Sequence, residues 1–536
     1  MMTDQDTSHT AACHLDEQRL TAALRAAAKD ASCVSLLRGA LLHFVADPAD
    51  AMLSEAVSSD GNDKQDSNQG NSNSRASDMA ATLARAVEHY TDALLVMHAG
   101  HVVAVGDHRS LVRHEAVGEL MRLSPPRNVE GLMMPGFIDT HVHFPQLDII
   151  ASYGHCLIDW LNTYTFPAEQ RFADPAHAAE VADAFLDALL CHGSTSAQVF
   201  ATSHATSADA LFRAARARDM RVHAGRVMMD RNAPPALLDS GVTALKDDER
   251  LIADWHGRDR LGYVLTPRFA PTSTPEQLKA AGQLLKSQPD LHLQTHLAEN
   301  LDEVKWVAEL FPDARDYLAV YEDVGLSHER TTFAHGIHLD DGMRQRIADQ
   351  GASIAFCPTS NLFLGSGLFD RASARAVGMN ISIATDVGGG SSLCQLESLK
   401  AAYQIGQLHG AVAHDVAGLE SRANQPLTPW QGFYQLTLGN ARAMRLQDKV
   451  GNLRPGMEAD VIVLDPAATP LLARRTRWGQ SSQVSLQEVL FALMMLGDDR
   501  VIREVHVAGQ CRKLHGLMLS ASSETPSREP AAALMP

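Results

Sequence analysis

The feature that most constrains the fold of this chain is an alternation: eight short apolar runs, each followed by a stretch of helical character. The runs are Met133 to Asp139, Thr195 to Phe200, Arg221 to Val227, Tyr263 to Phe269, Leu291 to Thr295, Thr332 to Ala334, Ser353 to Phe356 and Ile381 to Thr385. Stretches such as Pro175 to Leu190 and Asp340 to Gln350 supply the intervening helices. Eight such units predict an α/β protein whose catalytic body is a (β/α)8 barrel over residues 134–447.

Strand-like runs recur outside that body. Val34 to Val45 and Ala93 to Val105 are rich in β-branched and apolar residues, the second broken by a turn at Ala99-Gly100. Asp460 to Leu464 and Val501 to Val507 form a similar group beside the turn residues Pro455-Gly456 and Ala508-Gly509. They predict one small β-sandwich domain built from both terminal regions, residues 31–133 plus 448–515. An amphipathic helix from about Asp16 to Lys29 reads as an appended N-terminal extension, residues 1–30. Residues 58–77 are Ser, Asn, Asp, Gln and Gly with almost nothing apolar, so a flexible insertion is expected there, and a disordered tail over 516–536.

Composition narrows the function. A formal net charge of −18 argues against a protein that grips nucleic acid through its phosphates, which takes clustered Lys and Arg. A small neutral substrate suits such a surface better. No stretch approaches the roughly 20 apolar residues of a membrane span, and the start of the chain carries Asp4, Asp6 and His9 where a secretory leader is basic and then apolar. The seven cysteines are scattered without a C-x-x-C pair, as in reduced cytoplasmic proteins, and offer no thiolate zinc site.

The chemistry concentrates in Asp139-Thr140-His141-Val142-His143, directly after Pro135-Gly136. Side chains alternate along a strand, so His141 and His143 face the same way. At the C-terminal end of a barrel strand they make half of a divalent-metal site. His296 in Gln294-Thr295-His296-Leu297-Ala298-Glu299, His335 in Phe333-Ala334-His335-Gly336 and Asp386 in Ala384-Thr385-Asp386 end later runs. Strands one, five, six and eight thus all point donors into one mouth. Imidazole and carboxylate donors suit Zn2+, with Fe2+ second. Neither H-x-E with P-C-x-x-C nor H-E-x-x-H occurs, which excludes two other zinc chemistries.

This pattern of H-x-H, His, His and Asp resembles the amidohydrolase superfamily, from about residue 34 to residue 513. Two-metal members place a bridging lysine on the fourth strand, where this chain reads Thr266-Pro267-Arg268-Phe269. Arginine is no metal ligand, so one metal per subunit is expected. The resemblance implies His141, His143, His296 and Asp386 as ligands, Asp386 also as acceptor of the proton of water, and His335 as the group that orients and polarises it. Glu299, three residues after His296, would shuttle protons, and a carboxylate in such a pocket has its pKa pushed upward.

Several strings resemble the purine-deaminating members in particular: His141 to Gln146, Trp160 to Glu169, Pro267 to Phe269, Cys357 to Leu362 and Leu496 to Arg500. That resemblance implies hydrolytic deamination of guanine, with Gln146 and Arg268 on the polar edges of the base, Phe269 packed on it, and a homodimer. Trp160, Tyr164 and Phe166 are expected to pack beneath a lid without touching substrate. Two alternatives stay open: the same chemistry on a pterin, cytosine or a triazine, and a metal-free scaffold.

Overall fold

The computed structural model describes residues 13–48, 83, 85–154, 157–239, 242–414, 427–480 and 484–519. The expected insertion over 58–77 and the tail from 520 lie outside them. Eight parallel strands run in sequence order: β1 (Phe137–His143), β2 (Ser194–Phe200), β3 (Arg221–Gly225), β4 (Leu261–Pro267), β5 (His292–Leu297), β6 (Thr331–His335), β7 (Ser353–Phe356) and β8 (Asn380–Ile383). Nearly every residue in them is buried, because helices cover the outside while side chains fill the inside. Local signals set the helices: Asp174 caps Pro175–Cys191, Thr274 caps Pro275–Ser287 and Asp340 caps Asp341–Asp349, each side chain accepting an N–H of the first turn.

Each of the eight predicted runs overlaps a barrel strand. The first needs correction: Met133 to Asp139 is not one strand. Arg127–Pro135 belongs to a second sheet and β1 starts at Phe137. Gly136 makes the transfer. A Cβ there would sit 2.1 Å from Thr195 Oγ1, so only glycine lets the chain pass so close to β2, while its N–H donates to Asp460 O at 3.0 Å.

Beyond β8, two backbone bonds close the barrel: Asp386 N–H to His141 O at 2.9 Å and His143 N–H to Val387 O at 2.8 Å. Buried Asn440 spans the same seam, its Nδ2 donating to Ile138 O and Ile383 O at 2.7 and 2.8 Å.

The second sheet draws on both terminal regions. In order it holds His14–Leu15, His101–Asp107, Val87–His98, Val34–Phe44, Arg127–Pro135, Val461–Leu464, Ile502–Val507, Gln510–Leu514 and Leu517–Met518. Hydrogen bonds join all nine in one continuous order, and both terminal regions contribute strands, as expected. Alternation gives it two apolar faces: Leu37, Leu41, Leu95 and Val461 on one, Leu36, Leu94 and Val96 against the helices Glu17–Ala27 and Glu115–Leu123 on the other. The segment expected as an appended extension is therefore packed into this layer, and Leu517–Met518 carries the sheet past residue 515. Arg221 and Arg260 dock the sheet on the barrel through Glu458, and Arg260 also reaches Asp460 at 2.6 Å. Among the described residues no helix is long and apolar enough to cross a membrane.

Candidate active site

The seam of the barrel is where the donors meet. β1 presents His141 and His143 to the mouth, and the closure bonds bring Asp386 beside them, with Oδ1 3.0 Å from His141 Nε2 and 3.3 Å from His143 Nε2. His296 at the end of β5 completes a set of four whose ligand atoms all lie within 4.8 Å of one another. His335, on β6, stands beside them with Nε2 3.8 Å from Asp386 Oδ2. His335 and Asp386 have φ of 72° and 52°. Left-handed backbone is uncommon for any residue other than glycine, and it is found where surrounding structure holds functional side chains in place.

The protonation of this cluster is what a cation requires. Burial drives His143 down to about 4 despite the opposing Asp386 carboxylate, and holds His296 well below its usual value, so both rings are neutral. Burial works the other way on Asp386, but the imidazoles around it outweigh that and keep it well below the usual carboxylate range. The carbonyl of Arg268 can only accept, so His296 Nδ1, 2.7 Å away, carries the ring proton and Nε2 is left as a donor for a metal. The buried Nε2 of His141 makes no hydrogen bond, an orphaned atom that a cation would satisfy. Two neutral imidazoles, the unpartnered Nε2 of His141 and an ionised carboxylate fit a divalent metal.

His335 differs from those four. Asn361 Nδ2 donates to its Nδ1 at 3.0 Å, which puts the ring proton on Nε2, facing Glu299 Oε2 at 3.4 Å. It is placed to donate. Cys357 also approaches His141, His335 and Asp386, but burial raises its thiol well above the usual range, so it stays protonated.

Glu299 follows β5 and is buried. Burial first, then the nearby charges of Asp386 and Glu303, raise its pKa well above the ordinary carboxyl value, against a hydrogen bond from Ser366 Oγ to Oε1 at 3.0 Å. Glu303 steadies the turn behind it by accepting the N–H groups of Glu299 and Asn300 at 2.9 and 3.0 Å.

Gln146, Arg268, Phe269 and Glu299 line the same cavity as His143, His296, His335 and Asp386. Every site residue expected from the sequence therefore falls in or at one cluster. Trp160, expected to pack beneath a lid, is buried in an apolar cluster and, with Leu157 and Leu161, also lines the cavity. Phe166 lies beneath the Arg268 guanidinium, 5.6 Å from ring centre to its carbon, and Tyr164 packs against the apolar cluster of the covering segment. Asn361, Ser366 and Glu169 had no role assigned from sequence. A buried arginine demands a carboxylate, and the Trp160 to Glu169 string contains one in an apolar setting, a signal that could have singled out Glu169.

Residues 132–511 match the model of the Amidohydrolase family. The chain is 42% identical to the guanine deaminase of Escherichia coli strain K12 over 81% of its own length and 94% of that protein. It is 37% identical to a probable guanine deaminase of Deinococcus radiodurans, over 78% and 93% of the two chains. The crystal structure of guanine deaminase from Bradyrhizobium japonicum superposes with a TM-score of 0.79 at 34% identity, over 89% of this chain and 98% of that one. Sequence, fold and the convergence of donors at the barrel seam agree, and the chain belongs to the guanine deaminase group of the amidohydrolase family.

Proposed function

We propose that this protein hydrolyses the exocyclic amine of guanine, giving xanthine and ammonia. The observation that carries this reading is the sharing of one cavity by two sets of residues: Gln146, Arg268 and Phe269, which suit an oxopurine, and the donor cluster with Glu299. A divalent ion held by His141, His143, His296 and Asp386, zinc in this reading with iron second and one per subunit, supplies a water whose pKa falls from about 15.7 toward about 7.

The chain's own groups then handle position and protons. The guanidinium of Arg268 donates to the ring carbonyl oxygen, Gln146 holds a neighbouring polar edge, and Phe269 packs on the face of the base. Asp386 uses Oδ1 toward His141 and His143, which leaves Oδ2 to take the first proton from water. His335 Nε2–H orients the oxygen. Glu299, its carboxyl pKa raised by burial, gives its proton to the ring nitrogen beside the attacked carbon. It then takes the second water proton from the hydroxyl now on that carbon and passes it to the departing amine, and the proton held by Asp386 returns to Glu299 to reset the site. Trp160, Leu157 and Leu161 cover the base and exclude bulk water.

A site that pairs the carbonyl of guanine rejects a purine lacking it by several orders of magnitude, on the order of 10⁴-fold, so adenine is a poor substrate. Incubation with guanine, adenine and cytosine, following ultraviolet loss and ammonia while metal is assayed on the same sample, tests the reading. Rapid loss of cytosine with guanine untouched would overturn it. A cytoplasmic setting fits cysteines that, among the described residues, form no disulfide. The homodimer implied by the family is checked by light scattering.

A further inference from the structure

The two residues that read the polar edges of the base are held by a third that does not line the cavity. Glu169, fully buried in the helix Phe166–Gln170, accepts from Arg268 Nη1 with both carboxylate oxygens, at 2.8 and 2.9 Å, and from Gln146 Nε2 at 3.4 Å. Arg268 and Gln146 line the cavity and Glu169 does not. Resting on guanine as the substrate, we propose that Glu169 is a positioning residue that locks Arg268 and Gln146 into one rigid edge against which the base is read.

The geometry gives each partner a reason to need it. Arg268 is 3% exposed and its guanidinium cannot shed its charge, so an unpaired Arg268 would be unstable here. Both oxygens of Glu169 converge on Nη1. That arrangement satisfies the charge while Nη2 and Nε keep no side-chain acceptor among the described residues, and they stay free to donate to a ligand.

Gln146 has an amide with two unlike ends. A carboxylate only accepts and a backbone N–H only donates, so Glu169 fixes Nε2 toward itself while Oε1 accepts the Gly388 N–H at 3.1 Å. The second N–H of Gln146 is thereby aimed by Glu169. Phe166, one turn earlier on the same helix, supports the Arg268 guanidinium from below. The segment that covers the cavity with Trp160 and Leu161 thus also sets the reading edge, so covering the base and recognising it are one structural event.

The test compares guanine with 2-aminopurine, which has the same reacting amine but no ring carbonyl, in metal-loaded wild type, Glu169→Gln, Glu169→Asp, Arg268→Gln and the Glu169→Gln/Arg268→Gln pair. In Glu169→Gln, KM for guanine should rise about 10- to 100-fold with kcat within about threefold, and the preference for guanine over 2-aminopurine should fall at least about tenfold. In the Arg268→Gln background, Glu169→Gln should add less than about threefold, the non-additivity of a residue that acts through another. Glu169→Asp keeps the charge and hence the fold. Its shorter reach should still raise KM and erode the preference at unchanged melting temperature, so the inference can fail even where Glu169→Gln does not fold. Wild-type KM and preference in Glu169→Asp and Glu169→Gln overturn the inference alone. Guanine left intact by metal-loaded wild type overturns the functional reading, and the inference with it.

Discussion

Asp139 and Thr385 face each other across the barrel seam, with Thr385 Oγ1 donating to Asp139 Oδ2 at 2.5 Å and Thr385 N–H to Oδ1 at 3.1 Å. One is two residues before His141, the other next to Asp386. The pair therefore sets the spacing of donors that come from the two ends of the barrel. Thr385→Val removes the hydroxyl and leaves a buried carboxylate oxygen short of a donor, a loss of about 1–3 kcal/mol. Thermal melts should show the lower stability, and competition with a chelator should show metal held about 10- to 100-fold more weakly. Unchanged metal retention would remove the seam from any role in the site.

Glu299→Gln keeps size and hydrogen bonding but has no proton to give. Metal content should match wild type while kcat falls about 10²- to 10⁴-fold. Ser366→Ala, which deletes the hydroxyl on Oε1, should fall between the two. Near-normal turnover by Glu299→Gln would assign the proton transfers elsewhere.

Arg268→Lys replaces a planar fork with a point charge. The charge toward Glu169 survives, so the protein should fold, yet guanine kcat/KM should drop at least about 100-fold with most of the loss in KM. Steady-state kinetics on guanine decide this, and wild-type values would show that Arg268 does not read the base.

The terminal sheet should be acid-sensitive through Glu504. Burial alone would raise its carboxyl, but hydrogen bonds from His506 and Arg127 outweigh that and bring it from 4.5 to about 2. The folded value lies below the unfolded one. The stabilisation is therefore present above about 4.5 and drains away as pH falls from there toward 2. Melting temperatures of wild type and Glu504→Gln should differ most near neutrality and converge as the solution is acidified below pH 4.5. A gap that stays constant with pH would contradict this assignment.

Much of the barrel was legible because strands covered on both faces read as unbroken apolar runs, and the donors could be placed because each sits at the end of such a run. The first strand was misjudged because Pro135-Gly136 joins two apolar segments that belong to different sheets, a break that depends on the closeness of Thr195. Asn361 and Ser366 escaped notice because their value lies in contacts with His335 and Glu299, on other elements. Glu169 looked like any helical glutamate. Its partner lies 99 residues on, and only the packing of the covering segment brings them together. That Trp160 also borders the cavity escaped notice for the same reason, since the sequence does not say which side of that segment meets the cavity.

The strand Arg127–Pro135 has one neighbour in Val34–Phe44 and the other in Val461–Leu464, on opposite sides of the barrel in sequence. During synthesis its second edge stays bare until nearly the whole polypeptide has left the ribosome, and a bare edge invites pairing with another chain. Nonsense truncations before Val461 would consequently yield insoluble protein even with all eight barrel strands present.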